Sequence, residues 1–145
     1  MPIKVIRFNT SNTELFKKAK HIRQTVFVEE QKVTNEEEFD GLDDEAIQYL
    51  VLLNNDFAGT GRRRITNKGH KLERFAVYKE FRGKQIGKHL LQAMMQDILP
   101  TNKTIFLNAQ VSAQNFYAKY GFIKEGEQFL DANIQHYKMV YNKQS

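Results

Sequence analysis

The sequence predicts an α/β domain in which a mixed β-sheet carries helices on its faces, and three observations lead there. Strand-like runs such as "IKVIRF" and "AIQYLVLL" are interleaved with segments of helical periodicity. A helical crossover joins "KLERFAVY" to "KTIFLNA", which makes that strand pair parallel. No Pro-, Gly- or Ser-rich linker divides the 145 residues, so residues 1–145 are expected to form a single domain.

The elements follow in order. "IKVIRF" reads as a strand, and "SNTELFKKAKHIRQTVF" as a helix opened by a capping box from Ser11 to Glu14, with Leu15, Ala19, Ile22 and Val26 on one face. The acidic stretch at 29–45, "EEQKVTNEEEFDGLDDE", reads as loop or short helix. "AIQYLVLL" and "FAGTGRRRI" form a hairpin through "NND", and the turn "TNKGH" leads into "KLERFAVY". A helix then runs to about Leu99, with Ile86, Leu90, Met94 and Ile98 as its apolar stripe and Pro100 beyond its end. After the strand "KTIFLNA", "SAQNFYAKYGF" is a short helix closed by a left-handed Gly121. "FIKEG" and "IQHYKMVYN" are two closing strands.

Composition narrows the function. With 41% hydrophobic and 12% aromatic residues the chain can bury a core, which excludes a disordered or fibrous protein. The absence of cysteine excludes disulfides and thiolate chemistry. No run approaches the roughly 20 apolar residues of a membrane span, and "MPIKVIRFNT" lacks a signal-peptide core, so a cytoplasmic protein without a membrane partner is expected. His21, His70, His89 and His136 show no paired ligand spacing, so no metal is expected. The net charge of +5 is unevenly spread, with "GRRRITNKGHK" and "YKEFRGKQIGKH" basic against the acidic 29–45.

The stretch "KEFRGKQIGKHLL" at 79–91 is the most informative. The first turn of a helix carries unpaired N–H groups and a partial positive charge, and a glycine-containing approach lets an anion come close. Arg82, Lys84 and Lys88 add positive charge at the same spot, which suits a pyrophosphate. The spacing is neither that of a Walker loop nor that of a dinucleotide fingerprint.

These residues resemble a known family. "FAVYKEFRGKQIGKHLL" is similar to the acetyl-CoA-binding segment of the GNAT superfamily of N-acetyltransferases, whose pattern is Arg or Gln, two residues, Gly, one residue, then Gly or Ala. The matching positions are Arg82, Gln85 and Gly87, with Gln85 where Gly is usual. That position is expected to need only close approach, with the Gln85 side chain pointing away. "NAQVSAQNFYAKYGFIKEG" resembles the second half of the family's cofactor site. "IRQTVFVEEQKV" and "DANIQHYKM" resemble a subgroup of small bacterial members, so the resemblance spans nearly the whole chain.

The resemblance implies a mostly antiparallel sheet of six to seven strands, splayed between the fourth and fifth, with the pantetheine arm of acetyl-CoA in the gap. Phe75, Ala76 and Val77 would offer main-chain groups to the arm, and the Val77 N–H would polarise the thioester carbonyl. Arg82, Gly83, Lys84, Gln85, Ile86, Gly87 and Lys88 would hold the pyrophosphate. Asn108 and Asn115 would hydrogen-bond the arm, and Tyr117 would protonate the leaving thiolate. Glu73 and His136 are the candidates to take the acceptor's proton, and Glu29, Glu30 and Asp40 would steer a cationic acceptor.

The implied function is transfer of the acetyl group of acetyl-CoA to a primary amine, of a small molecule or a protein, by direct attack. Two alternatives stand beside it. One is a CoA-binding protein without transferase activity. The other is a small basic nucleic-acid-binding protein using "GRRRITNKGHK", although that stretch lacks interleaved aromatics and reads better as a hairpin beside the cofactor loop. The oligomeric state stays open, a homodimer included.

Overall fold

A computed structural model describes residues 2–142. The strands are β1 (Ile3–Phe8), β2 (Ile47–Leu53), β3 (Asp56–Thr66), β4 (Gly69–Val77), β5 (Ile105–Gln110), β6 (Phe122–Lys124), β7 (Phe129–Asp131) and β8 (Ile134–Tyr141). They form one eight-stranded sheet in the order β1-β2-β3-β4-β5-β8-β6, with β7 also on β8. The expected six to seven strands become eight because "FLD" pairs back on β8 through a two-residue turn at Ala132 and Asn133. Only β4 and β5 are parallel.

The helices are α1 (Thr13–Arg23), α2 (Asn35–Glu38), α3 (Ile86–Ile98) and α4 (Gln114–Lys119). The N-cap of α1 is Asn12, whose side chain accepts from the Leu15 N–H, so the helix starts one residue later than expected and the Ser11–Glu14 box does not form. The capping box forms instead at Thr34 and Glu37. After Arg23 the chain continues as π-helical turns over Gln24–Glu30, which keep Val26 and Phe27 in the core.

Alternation along β2 fixes the layers. Tyr49, Val51 and Leu53 face the cluster built on Leu90, Met94 and Ile98 of α3. Leu50 faces the opposite cluster, with Ala19 and Ile22 of α1. Gly61 lets α3 lie close against β3: a Cβ there would meet Leu90 Cδ2 and Met94 Cε at 2.9 Å. Gly59 does the same for the first turn of α3, where a Cβ would meet Ile86 Cγ2 at 2.7 Å.

A bulge opens the sheet. Thr60 opposes Ala76 but Arg62 opposes Glu73, so Arg74 and Phe75 together face the single residue Gly61, and Arg74 is left-handed at φ 60°. A bulge bends its strand and increases twist. Strands β4 and β5 accordingly pair only through His70–Leu72 and Ile105–Leu107, and diverge beyond. No described helix is long and apolar enough to cross a membrane.

Candidate active site

The splay between β4 and β5 widens into a groove of about 760 Å³. At one end the chain leaves β4, makes a 3₁₀ turn over Lys79–Phe81 and enters α3 through Gln85. Gln85 caps the helix without a side-chain hydrogen bond. Among the described residues, the backbone N–H groups of residues 83–88 have no acceptor within the chain, whereas His89 already donates to Gln85 O at 3.2 Å. Six consecutive donors are thus left at a helix start, where the dipole also favours negative charge.

The conformation of Gln85 corrects one expectation. It is left-handed, at φ 67° and ψ 21°, and lines the groove. The requirement at this position is therefore backbone conformation and not merely close approach. Left-handed Gly83 and Gln85 flank Lys84, whose φ is negative, and such alternation turns successive N–H groups into one concavity. A non-glycine residue there costs roughly 1 kcal/mol or more.

Ladder geometry orients the β4 backbone. The Tyr78 N–H donates to Ala58 O at 2.9 Å, so in the alternating antiparallel pattern the Val77 N–H and C=O point away from β3, into the splay. The Val77 carbonyl accepts there from Arg82 Nε at 3.0 Å. Tyr117, from α4, stands across the gap with its ring 5.7 Å from that of Phe75 and 5.0 Å from that of Phe116. Burial pushes the Tyr117 hydroxyl well above its ordinary pKa, so it is held protonated, and it has no hydrogen-bond partner among the described residues.

At the other end of the groove His136 on β8 is 8% exposed and stacks on Phe129 at 5.8 Å. Its Nδ1 lies 2.7 Å from Ile134 O. A carbonyl can only accept, so in the neutral ring the proton sits on Nδ1 and Nε2 is the free base. Gln110, directly opposite His136 in the β5–β8 register, exchanges amide hydrogen bonds with Gln31 at 2.9 Å and 3.4 Å.

The other proposed base is placed differently. Glu73 contacts Arg62 at 3.2 Å, Arg64 at 2.6 Å and Lys71 at 3.1 Å. Burial pushes its carboxyl up, but the hydrogen bond from Arg64 and the charges of Arg62 and Lys71 outweigh this and hold it below the usual range. Three cations make it a counterion and a poor proton acceptor.

Two of the three acidic residues expected to steer an acceptor are held by arginines. Glu30 is bound by Arg82 through both carboxylate oxygens, at 3.0 and 2.9 Å. Asp40 is held by Arg62 at 2.8 Å and by Arg74 at 3.1 Å. Glu29 is exposed and outside the groove lining. The segment neutralises arginines buried under it, with Arg23 1% and Arg62 0% exposed beside Glu38 and Asp43. Of the arginines of "GRRRITNKGHK", Arg62 pairs with Asp40 and Asp43 and Arg64 with Glu45, whereas Arg63 lies 4.0 Å from Asp97 of α3; the hairpin turn lies at the far end of the nine-residue β4 from the cofactor loop, roughly 30 Å away.

Of the remaining predicted residues, Phe75, Ile86, Gly87, Lys88 and Asn108 line the groove with Val77, Arg82 and Gly83. Ala76 is buried on the opposite face, while Lys84 and Asn115 are exposed and outside the lining. Sequence reasoning missed Gln31, Gln110 and the Arg74 bulge. "DANI" carried the turn signal that could have found the β7–β8 hairpin.

A mixed sheet splayed beside a helix start with six unpaired N–H groups is an arrangement with room for an extended ligand and donors for an anion. The chain matches the acetyltransferase (GNAT) domain over residues 15–143. It is 37% identical over 131 residues to the uncharacterized N-acetyltransferase YjcF of Bacillus subtilis, covering 89% of this chain and 94% of that one. A second Bacillus subtilis relative, the uncharacterized protein YyaT, is 33% identical over 123 residues, 82% of this chain and 83% of that one. In structure the chain is similar to ElaA of Escherichia coli, with a TM-score of 0.86, 23% identity and coverage of 97% and 100%. It is likewise similar to PaiA N-acetyltransferase of Thermoplasma acidophilum in complex with coenzyme A, with a TM-score of 0.70, 16% identity and coverage of 99% and 100%. This chain belongs to the GNAT family of N-acetyltransferases, and its chemistry is acyl transfer.

Proposed function

We propose that the groove binds acetyl-CoA and passes its acetyl group directly to a primary amine, with His136 as the base and Tyr117 as the acid. The observation that carries this reading is the run of six free N–H groups at residues 83–88, opening onto the splay. The residues present fit the donor: the N–H run and Lys88 suit the pyrophosphate, and the outward Val77 backbone suits the amide-bearing arm. Acetyl-CoA supplies an activated thioester.

Each step then falls to a named group. Freeing a lysine-like amine at pH 7 costs about 4 to 5 kcal/mol, so a proton acceptor is required. Nε2 of His136 takes that proton, directly or through water, because its Nδ1 is committed to Ile134 O. The Val77 N–H faces the negative charge that develops on the acyl oxygen. The Tyr117 hydroxyl, which lines the groove beside Phe75 and has no hydrogen-bond partner among the described residues, gives its proton to the departing sulfur.

Release of free thiol from acetyl-CoA in the presence of a broad set of primary amines tests the reading, with the acetylated amine identified by mass. Amine-dependent release that falls about 10²-fold in His136→Gln supports it. Binding of acetyl-CoA without transfer to any amine would leave a CoA-binding protein instead.

A further inference from the structure

Resting on that acyl-transfer reading, we propose that the acceptor is an amine carried on an apolar alkyl or aralkyl body and bearing no carboxylate. Two elements far apart in sequence meet to form the acceptor end of the groove. Phe27 and Val33 come from the π-helical turns and the chain after them, and Ala132 and Ile134 from the tip of the β7–β8 hairpin. All four belong to the same apolar cluster, which the hairpin tip reaches by taking Ala132 and Asn133 left-handed, at φ 50° and 63°. An apolar substrate body between these walls is removed from water as a core side chain is.

Charge around the groove selects in the same direction. The cations lining the groove on this side, Lys71 and Arg74, already hold carboxylates: Lys71 that of Glu73 at 3.1 Å, and Arg74 those of Glu38 and Asp40 at 3.1 Å. Glu37 and Asp131 are exposed at the rim, and neither has an ion-pair partner among the described residues. Unlike the paired Glu38 and Glu73, His136 lines the groove at 8% exposure with an Nε2 that makes no hydrogen bond among the described residues. An approaching ammonium is therefore attracted and led to a base, whereas a carboxylate on the same molecule meets two like charges and no cation. A polyamine fares poorly for a different reason, since its second ammonium would lie against the apolar walls.

The test compares 2-phenylethylamine with phenylalanine, which differ by the carboxylate alone, and with spermidine, using thiol release from acetyl-CoA. The proposal predicts a kcat/KM for 2-phenylethylamine at least about tenfold above those of the other two. Asp131→Lys narrows the ratio to phenylalanine to within about threefold while the KM for acetyl-CoA moves by less than about twofold. Phenylalanine or spermidine used as well as 2-phenylethylamine, or a ratio untouched by Asp131→Lys, overturns it. Transfer to other amines but to none of these three overturns the acceptor class and leaves acyl transfer standing. Failure of acetyl-CoA itself to bind, read by calorimetry, removes both.

Discussion

Replacing Arg62 by glutamine probes the ion network beneath the acceptor end. Arg62 is 0% exposed and holds Glu73 at 3.2 Å, Asp43 at 2.9 Å and Asp40 at 2.8 Å. Removing one partner of a buried ion pair costs about 3 to 5 kcal/mol, because it strands a charge away from water. Here every stranded carboxylate keeps another cation: Glu73 keeps Arg64 and Lys71, Asp43 keeps Arg23, and Asp40 keeps Arg74. The loss should therefore sit at the low end, about 3 kcal/mol, or about 6 to 12 °C in Tm for a chain of this size. Urea unfolding at pH 7 with an unchanged slope measures it. A loss below about 1 kcal/mol would refute the network as the anchor of segment 35–45, placing Arg62 with exposed pairs instead.

Other outcomes follow from the same geometry. Tyr117→Phe should lower kcat about 10²-fold with acetyl-CoA affinity unchanged, measured by steady-state kinetics and calorimetry. Gln85→Gly should change stability by less than about 1 kcal/mol by urea unfolding, because relief of a left-handed glutamine offsets the added freedom of glycine in the unfolded chain. The carboxyls of Asp40, Asp43 and Glu73 lie below their usual range in the folded chain, Asp40 at about 2. Their stabilisation is complete above the unfolded carboxylate range and lost as pH falls through the folded values, whereas burial raises Glu38, which contributes in the opposite sense. The three outweigh the one, so unfolding free energy should decline from about pH 4 toward pH 2, and a flat profile over that range would contradict the assignment.

Much of the architecture was legible because local pattern and tertiary context agree in it. The stripe of Ile86, Leu90, Met94 and Ile98 is buried as its period requires, and the crossover makes β4 and β5 parallel. The free helix start at residues 83–88 was equally legible, since Gly83 and the flanking basic residues announce it. The Arg74 bulge was not, because a one-residue shift in pairing leaves no mark on alternation. Nor could charge counting show that the acidic run 29–45 covers buried arginines, because exposed and buried charges read alike until partners are known. Gln85 misled for a related reason: chain conformation there is imposed by the turn into α3, against the residue's own preference.

The central claim is that the N–H groups of residues 83–88 hold the pyrophosphate of acetyl-CoA, and amide hydrogen exchange with and without the donor tests it most directly. These amides should exchange fast in the free protein and slow markedly at saturating acetyl-CoA or CoA, with ATP far less effective. Protection that appears elsewhere while residues 83–88 exchange unchanged would contradict the account.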